Sequence, residues 1–493
     1  MPAARYDLII RDALLIDGSG TPPVRGDLAV SDDRIAAMGA LDAAEAAREI
    51  AGAGLALSPG FIDTHTHDDR LLLSDPLMAC KASQGVTTVI TGNCGVSLAP
   101  LSLAGRPPPP LDLIGEEPGQ YFARFSDYLD ALDRDPPALN AACQVGHSTL
   151  RVGAMDRLDR PADGAEIKAM RGALAEALEA GAIGLSTGLF YAPAAAAPTE
   201  EVIAIAEPLK SFGALHTTHM RDEGDHVVDS INETLAIGRR AEIPVVISHH
   251  KLSGQRNHGR ATETLALIDR ARREQPLGLD VYPYVASSSV LDVRRFTSAA
   301  KVIITWSRPH PECSGQELTE IAQRMGCGLT EAAKRLQPAG AVYFMMSEAD
   351  VQKVLAYPWS MIGSDGLPHD VHPHPRLWGT FPRVLGHYAR DVGLFPLAEA
   401  VRRMTSLPAA QFGLKDRGTL RPGAFADLVL FSPEKIIDRA TFAEPRLPAA
   451  GIALVMVNGR AVWRDGASTG ERPGRALRRG AGAMVRDKAL SGR

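Results

Sequence analysis

Cysteine is scarce in this chain, with five in 493 residues at positions 80, 94, 143, 313 and 327. They are too few and too widely spaced for a disulfide framework, so a reducing compartment is expected, and any cysteine with a special role is a ligand or a nucleophile. Neither sign of charge dominates. Fifty-eight acidic against 53 basic residues leave a net charge of −5, scattered along the chain, without the basic footprint of a nucleic-acid binder. Long apolar runs are missing as well. The opening MPAARYDLII carries Arg5 and Asp7 and lacks the apolar stretch of roughly 7–15 residues that marks a signal peptide. The longest uncharged run, between Lys81 and Arg106, is broken by Gly85, Gly92, Asn93, Gly95 and Pro100, which do not suit hydrocarbon. A cytoplasmic protein without a membrane span is expected, and its partner is a small molecule rather than a polyanion or a bilayer. The oligomeric state stays open, a monomer included.

What is present is an ordinary globular composition, 45% apolar and 23% charged, which excludes disorder and fibrous repeats. The length suits one large α/β barrel with an appendage. At the N-terminal end, YDLIIRDALLIDG and DLAVSDDRIAAMG read as antiparallel strands. Near the other end, GTLRPGAFADLVLFSP and IALVMVNGRAVW have the same texture, with Asn458-Gly459 as a hairpin signal. Residues 1–58 with 418–480 are therefore expected to form one β-sandwich domain. Between them eight short apolar runs end in small or polar residues: GFIDTHTH, TTVITGN, NAACQVGH, AIGLSTG, ALHTTHM, PVVISHH, LGLDVYPY and SMIGSDG. Segments with helical spacing such as GAEIKAMRGALAEALEAG separate them, which predicts a (β/α)₈ TIM-like barrel over 59–417. The connection at about 286–347, some sixty residues, is far beyond the usual 2–6 and predicts an inserted lid subdomain over the barrel mouth. Residues 481–493 read as a tail.

Taken alone, His65 and His67 make a weak signal, two imidazoles at i and i+2 that share a face if they stand on a strand. Placement strengthens it. Cys94, His219, His249 and Asp365 occupy the same run-end position elsewhere, so six potential ligands converge on the face where barrel enzymes keep their sites. Imidazole, thiolate and carboxylate suit Zn²⁺ better than Mg²⁺ or Ca²⁺. His216 falls on the opposite face of its strand and reads as a packed core histidine, His250 is ambiguous beside His249, and His147 is a candidate for lining the pocket.

The strand Phe61-Ile62-Asp63-x-His65-x-His67, the N-terminal YDLII…IDG module and the closing Gly423-x-Phe425-Ala426-Asp427-Leu428-Val429 segment resemble the amidohydrolase superfamily. Within it, TGNCG, THMRDEG, ISHHK, IGSDGLPHD and HPRLWGTFPRVLG resemble the N-acyl-D-amino-acid deacylases, over nearly the whole chain. The resemblance implies a tight zinc on Cys94, His219 and His249, and a weaker second metal position on His65 and His67 that shares Cys94. It implies Asp365 as the proton-transfer group, itself within reach of the metal, and Lys251, Tyr282, Ser288 and Arg376 as binders of the substrate's α-carboxylate. Many relatives carry a carboxylated lysine on the fourth strand, but AIGLSTG has no lysine. The implied activity is zinc-dependent hydrolysis of N-acyl-D-amino acids. A cyclic-amide hydrolase of the dihydropyrimidinase or dihydroorotase kind, and a non-catalytic zinc-dependent binding protein, are the rivals.

Overall fold

The computed structural model describes residues 5–479, so the expected tail at 481–493 lies outside the described residues. Each of the eight apolar runs supplies a strand: Phe61–Asp63, Val86–Thr91, Asn140–Cys143, Gly184–Gly188, Leu215–His219, Val245–Ile247, Leu277–Val281 and Ser360–Ile362. Successive strands pair in parallel, the third resuming at Val145–Gly146 to meet the fourth. The ring closes where Thr64 N donates to Ile362 O at 3.4 Å and Thr66 bridges Gly366. Every residue of these strands is buried, because helices cover the outer face and side chains fill the inner one. That is why the strands read as short runs of apolar and small residues rather than as a regular apolar–polar alternation.

The crossover helices bury one stripe each. Helix Gly164–Ala180 hides Met170, Leu174, Ala177 and Leu178, which recur at helical spacing. It starts at Asp163, whose side chain accepts from Ala165 N and Glu166 N in a capping box worth about 1 kcal/mol, and it stops at Gly181, whose φ of 117° a side chain would resist.

The sandwich expected from the two chain ends takes the form of one nine-stranded sheet folded over a single core. Strand Arg5–Leu15 pairs antiparallel with Val24–Ser31 but parallel with Glu45–Ala51 and Ala56–Pro59, its register shifting between Ile10 and Ala13. Ile35 N donates to Ala424 O and Gly423 N to Ile35 O, both at 2.8 Å, which ties the edge strand Arg34–Gly39 to the chain leading into Leu428–Phe431. Strict alternation splits the residues between two cores. Leu428, Leu430, Leu454 and Met456 face the interior of the sheet, whereas Val429, Phe431, Val455 and Val457 join the core of the barrel. Asn458 and Gly459 turn the hairpin with φ of 47° and 78°, as a two-residue primed turn demands.

Between the seventh and eighth barrel strands, Ala286–Val290, Lys301–Ser307 and Ala339–Phe344 form a separate three-stranded antiparallel sheet. It abuts the mouth through Ser288 and Ser289. Among the described residues no helix is long and apolar enough to cross a membrane.

Candidate active site

Cys94, His249 and Asp365 follow strand ends with φ of 52°, 36° and 51°, a left-handed backbone that costs such residues about 1–3 kcal/mol each. Neighbours hold these turns in place. His249 N donates to Asp280 Oδ1 at 2.8 Å, Asp365 N to His65 O at 2.7 Å, and Gly95 N to Ser186 Oγ at 2.9 Å. Each turn swings its side chain off the strand and into the mouth. His65 and His67 differ from expectation in one respect, since their strand ends at Asp63 and both rings come from the turn that follows. They converge all the same, because both Nε2 atoms approach Asp365 Oδ1, at 3.6 and 3.3 Å.

The Cys94 sulfur is the hub. His65 Nε2 lies 3.2 Å from it, His249 Nε2 3.4 Å and His219 Nδ1 3.6 Å. A tetrahedral zinc with Zn–S of about 2.3 Å and Zn–N of about 2.0–2.1 Å requires S and N to stand about 3.6 Å apart, a separation that His219 matches and His249 approaches, while His65 stands closer. Burial opposes the thiolate, yet the surrounding histidines, His65 first, hold the Cys94 thiol well below its ordinary value. Burial also pushes His219 down to about 4 and so keeps its ring neutral, as ligation requires. Burial opposes ionisation of Asp365 too, but Arg376 and then His67 hold its carboxyl well below the ordinary range.

The outer nitrogens of these rings meet carboxylates that sequence reasoning did not single out. Glu223 Oε1 lies 2.9 Å from His249 Nδ1, its Oε2 lies 3.6 Å from His219 Nε2, and Asp280 Oδ1 lies 3.5 Å from His65 Nδ1. Only the first is a close contact, and such a partner helps fix which nitrogen of His249 is free to bind metal; His65 Nδ1 and His219 Nε2 face their carboxylates without a hydrogen bond. His219, Glu223 and His249 are themselves close enough to hold a cation, but the Lys251 ammonium already stands there, 2.5 Å from Glu223 Oε1 and 2.7 Å from His249 Nδ1. Spacing held a hint of Glu223, four residues after His219. No such hint marked Lys81, a fully buried ammonium 2.8 Å from Asp63 Oδ2 and 2.6 Å from Ser364 Oγ that links the first and eighth strand ends.

The residues assigned to the substrate's carboxylate gather beside this cluster. The Tyr282 ring has Arg376 Cζ at 4.7 Å and Lys251 Nζ at 5.6 Å. Arg376 is fully buried, with Nη2 donating to Ser288 O at 3.2 Å and Nη1 2.8 Å from Asp365 Oδ2. Its Nε, the Tyr282 hydroxyl and the Ser288 hydroxyl have no hydrogen-bond partner, whereas Nη1 is engaged in the ion pair with Asp365. A groove of about 830 Å³, lined by Phe190, Glu223, Arg295 and Met345 among others, opens alongside, and the Phe190 ring lies 5.8 Å from that of His219.

Three other histidines stand apart from the cluster. His216 Nε2 contacts Thr187 Oγ1 at 3.0 Å in the core, and His250 Nε2 contacts Thr264 Oγ1 at 3.0 Å. His147, a candidate for the pocket wall, pairs instead with Glu201 at 3.3 Å, because it opens a helix rather than continuing its strand.

The chain is 56% identical over 474 residues to D-aminoacylase of Alcaligenes xylosoxydans xylosoxydans, covering 96% of this chain and 98% of the relative. It is 52% identical over 476 residues to N-acyl-D-aspartate deacylase of the same organism, covering 96% and 95%. The solved structure of N-acyl-D-glutamate deacylase from Bordetella bronchiseptica, complexed with zinc and a phosphonate mimic of the tetrahedral intermediate, superposes with a TM-score of 0.93 at 48% identity, covering 96% and 100%. The Amidohydrolase family model matches residues 48–262 and 248–463, so the chain belongs to the amidohydrolase family.

Proposed function

We infer that this chain hydrolyses the amide bond of N-acyl-D-amino acids to a D-amino acid and a carboxylate. The observation that carries the reading is the set of buried, unpartnered donors on Arg376, Tyr282 and Ser288, with Lys251 beside them, next to the Cys94–histidine cluster. Leaving a buried donor unmade costs about 1–3 kcal/mol, more for a charged group. A free α-carboxylate offers lone pairs to these donors, and the guanidinium adds the charge that favours it.

Cys94, His219 and His249 would hold a zinc ion, with His65 and His67 forming a weaker position that shares Cys94, and the ion would supply polarisation of the scissile carbonyl and a lowered pKa of the attacking water. Asp365, kept ionised by Arg376 and His67, takes the proton from that water and hands it to the leaving nitrogen. The groove lined by Phe190, Arg295 and Met345 is left for the substrate's side chain. Three fixed points, the scissile carbonyl, the carboxylate and the side chain, distinguish the D from the L form.

Cyclic amides such as dihydrouracil carry no carboxylate to engage Arg376, and a structural zinc site closed by four ligands has no use for Asp365. Assaying N-acetyl-D-methionine, its L-enantiomer and dihydrouracil side by side tests the reading. Turnover of the D-acid alone is expected. Preference for dihydrouracil, or no turnover of any of the three, refutes it.

A further inference from the structure

Glu223 is buried and belongs neither to the metal-ligand set nor to the carboxylate-binding set, yet it touches both. Its Oε1 lies between Lys251 Nζ, at 2.5 Å, and His249 Nδ1, at 2.9 Å, while Oε2 faces His219 Nε2 at 3.6 Å. His219 Nε2 is buried without a hydrogen-bond partner, with Glu223 Oε2 facing it from just beyond hydrogen-bond reach. The two histidines present opposite nitrogens to Cys94, His219 through Nδ1 and His249 through Nε2. A single carboxylate standing between their far edges accounts for that asymmetry. His249 Nδ1 is shared, with Glu223 Oε1 at 2.9 Å and the Lys251 ammonium at 2.7 Å, and Lys251 donates to the same Oε1; a ring that gives Nε2 to a metal carries its proton on Nδ1, where Glu223 accepts it.

We propose that Glu223 is a positioning residue that couples recognition of the substrate's carboxylate to the metal centre. It rests on the function inferred above. One carboxylate holds the far edge of His249, faces that of His219, and at the same time anchors the Lys251 ammonium, 5.6 Å from the Tyr282 ring, beside the carboxylate site. His65 is tied separately, through Asp280, and stands outside this coupling.

An amide cannot replace such a hub. In Glu223→Gln one of the two oxygens becomes an NH₂ group that faces a donor, either Lys251 or an imidazole N–H. Metal retention and carboxylate preference should therefore fall together in Glu223→Gln, and they should separate in Lys251→Met. The test compares the zinc-loaded wild type, Glu223→Gln, Glu223→Asp and Lys251→Met. Zinc affinity is read by competition with a chromogenic chelator, and carboxylate preference as the ratio of kcat/KM for N-acetyl-D-methionine to that for its methyl amide. Thermal melting of the metal-stripped proteins establishes that each variant folds.

In Glu223→Gln zinc affinity is expected to fall about 10–100-fold, the range for loss of such an outer partner, and the preference for the acid to fall with it. Glu223→Asp, too short to span both groups, should fall on the same two readouts. Lys251→Met should lose the preference and keep wild-type zinc affinity. The proposal is overturned if Glu223→Gln holds zinc like the wild type, or if it loses zinc with the acid preference undiminished. A wild type that turns over neither the acid nor the amide overturns the coupling through the inferred function itself, an outcome distinct from an active wild type whose Glu223 variants match it.

Discussion

Arg376→Lys tests the carboxylate site most directly. The substitution keeps the charge but replaces a planar fork by one ammonium on a flexible stem. In the folded chain the guanidinium is fully buried, seated over Tyr282 at 4.7 Å, donates to Ser288 O, pairs through Nη1 with Asp365 at 2.8 Å, and keeps Nε without a hydrogen-bond partner. A lysine ammonium cannot make the paired contact to a carboxylate, and it abandons the Ser288 carbonyl and the stacking on Tyr282. Disruption of a buried, hydrogen-bonded charge pair costs roughly 2–5 kcal/mol, and since some charge survives we expect about 2–4 kcal/mol in kcat/KM. At about 1.4 kcal/mol per decade this is a loss of roughly 30- to 1,000-fold for N-acetyl-D-methionine. The methyl amide, which lacks the carboxylate, should lose far less, so the ratio between the two substrates collapses. If the wild type prefers the acid and the Arg376→Lys variant shows the same preference undiminished, Arg376 does not hold the carboxylate and the reasoning fails.

Asp365→Asn should lower turnover by about 10²-fold or more while zinc content and KM stay close to wild type, because general acid–base help is worth roughly 10²–10⁴; turnover above about a tenth of wild type would assign the proton to another group. The insertion at 286–347 is expected to act as a mobile lid, its Ser288 and Ser289 meeting Arg376 and Tyr191 across the mouth. D-methionine should slow its proteolysis, and an unchanged digestion pattern would count against a lid. Asp370 gives a pH signature. Burial pushes its carboxyl up to about 7, so between about pH 4 and 7 the folded chain keeps a proton that the unfolded chain releases, and stability falls as pH rises through that window. The melting temperature of Asp370→Asn should therefore gain on that of wild type across this range, and a constant gap would refute the assignment.

The apolar runs carried the barrel legibly, because strands buried on both faces need runs of apolar and small residues and the crossover helices between them need a 3.6-residue stripe. Hairpin chemistry was equally local, in that Asn458-Gly459 satisfies a backbone requirement that few other pairs meet. The six candidate ligands could be listed for the same reason, each marking the end of a run. How they meet was not local. His65 and His67 reach Asp365 from a turn and not from strand alternation, and the left-handed backbone at Cys94, His249 and Asp365 exists because contacts such as Asp280 to His249 N and His65 O to Asp365 N over-determine it. Glu223, Asp280 and Lys81 stayed hidden because a buried charge has no periodicity. It is tolerated only through partners that the fold delivers from elsewhere in the chain. Sequence by itself determined which chemistry was present and on which face of the barrel it would gather. Tertiary structure alone decided which nitrogen of each ring faces the sulfur and which donors are left without a partner, since both depend on distances between residues brought together only when the ring of strands closes.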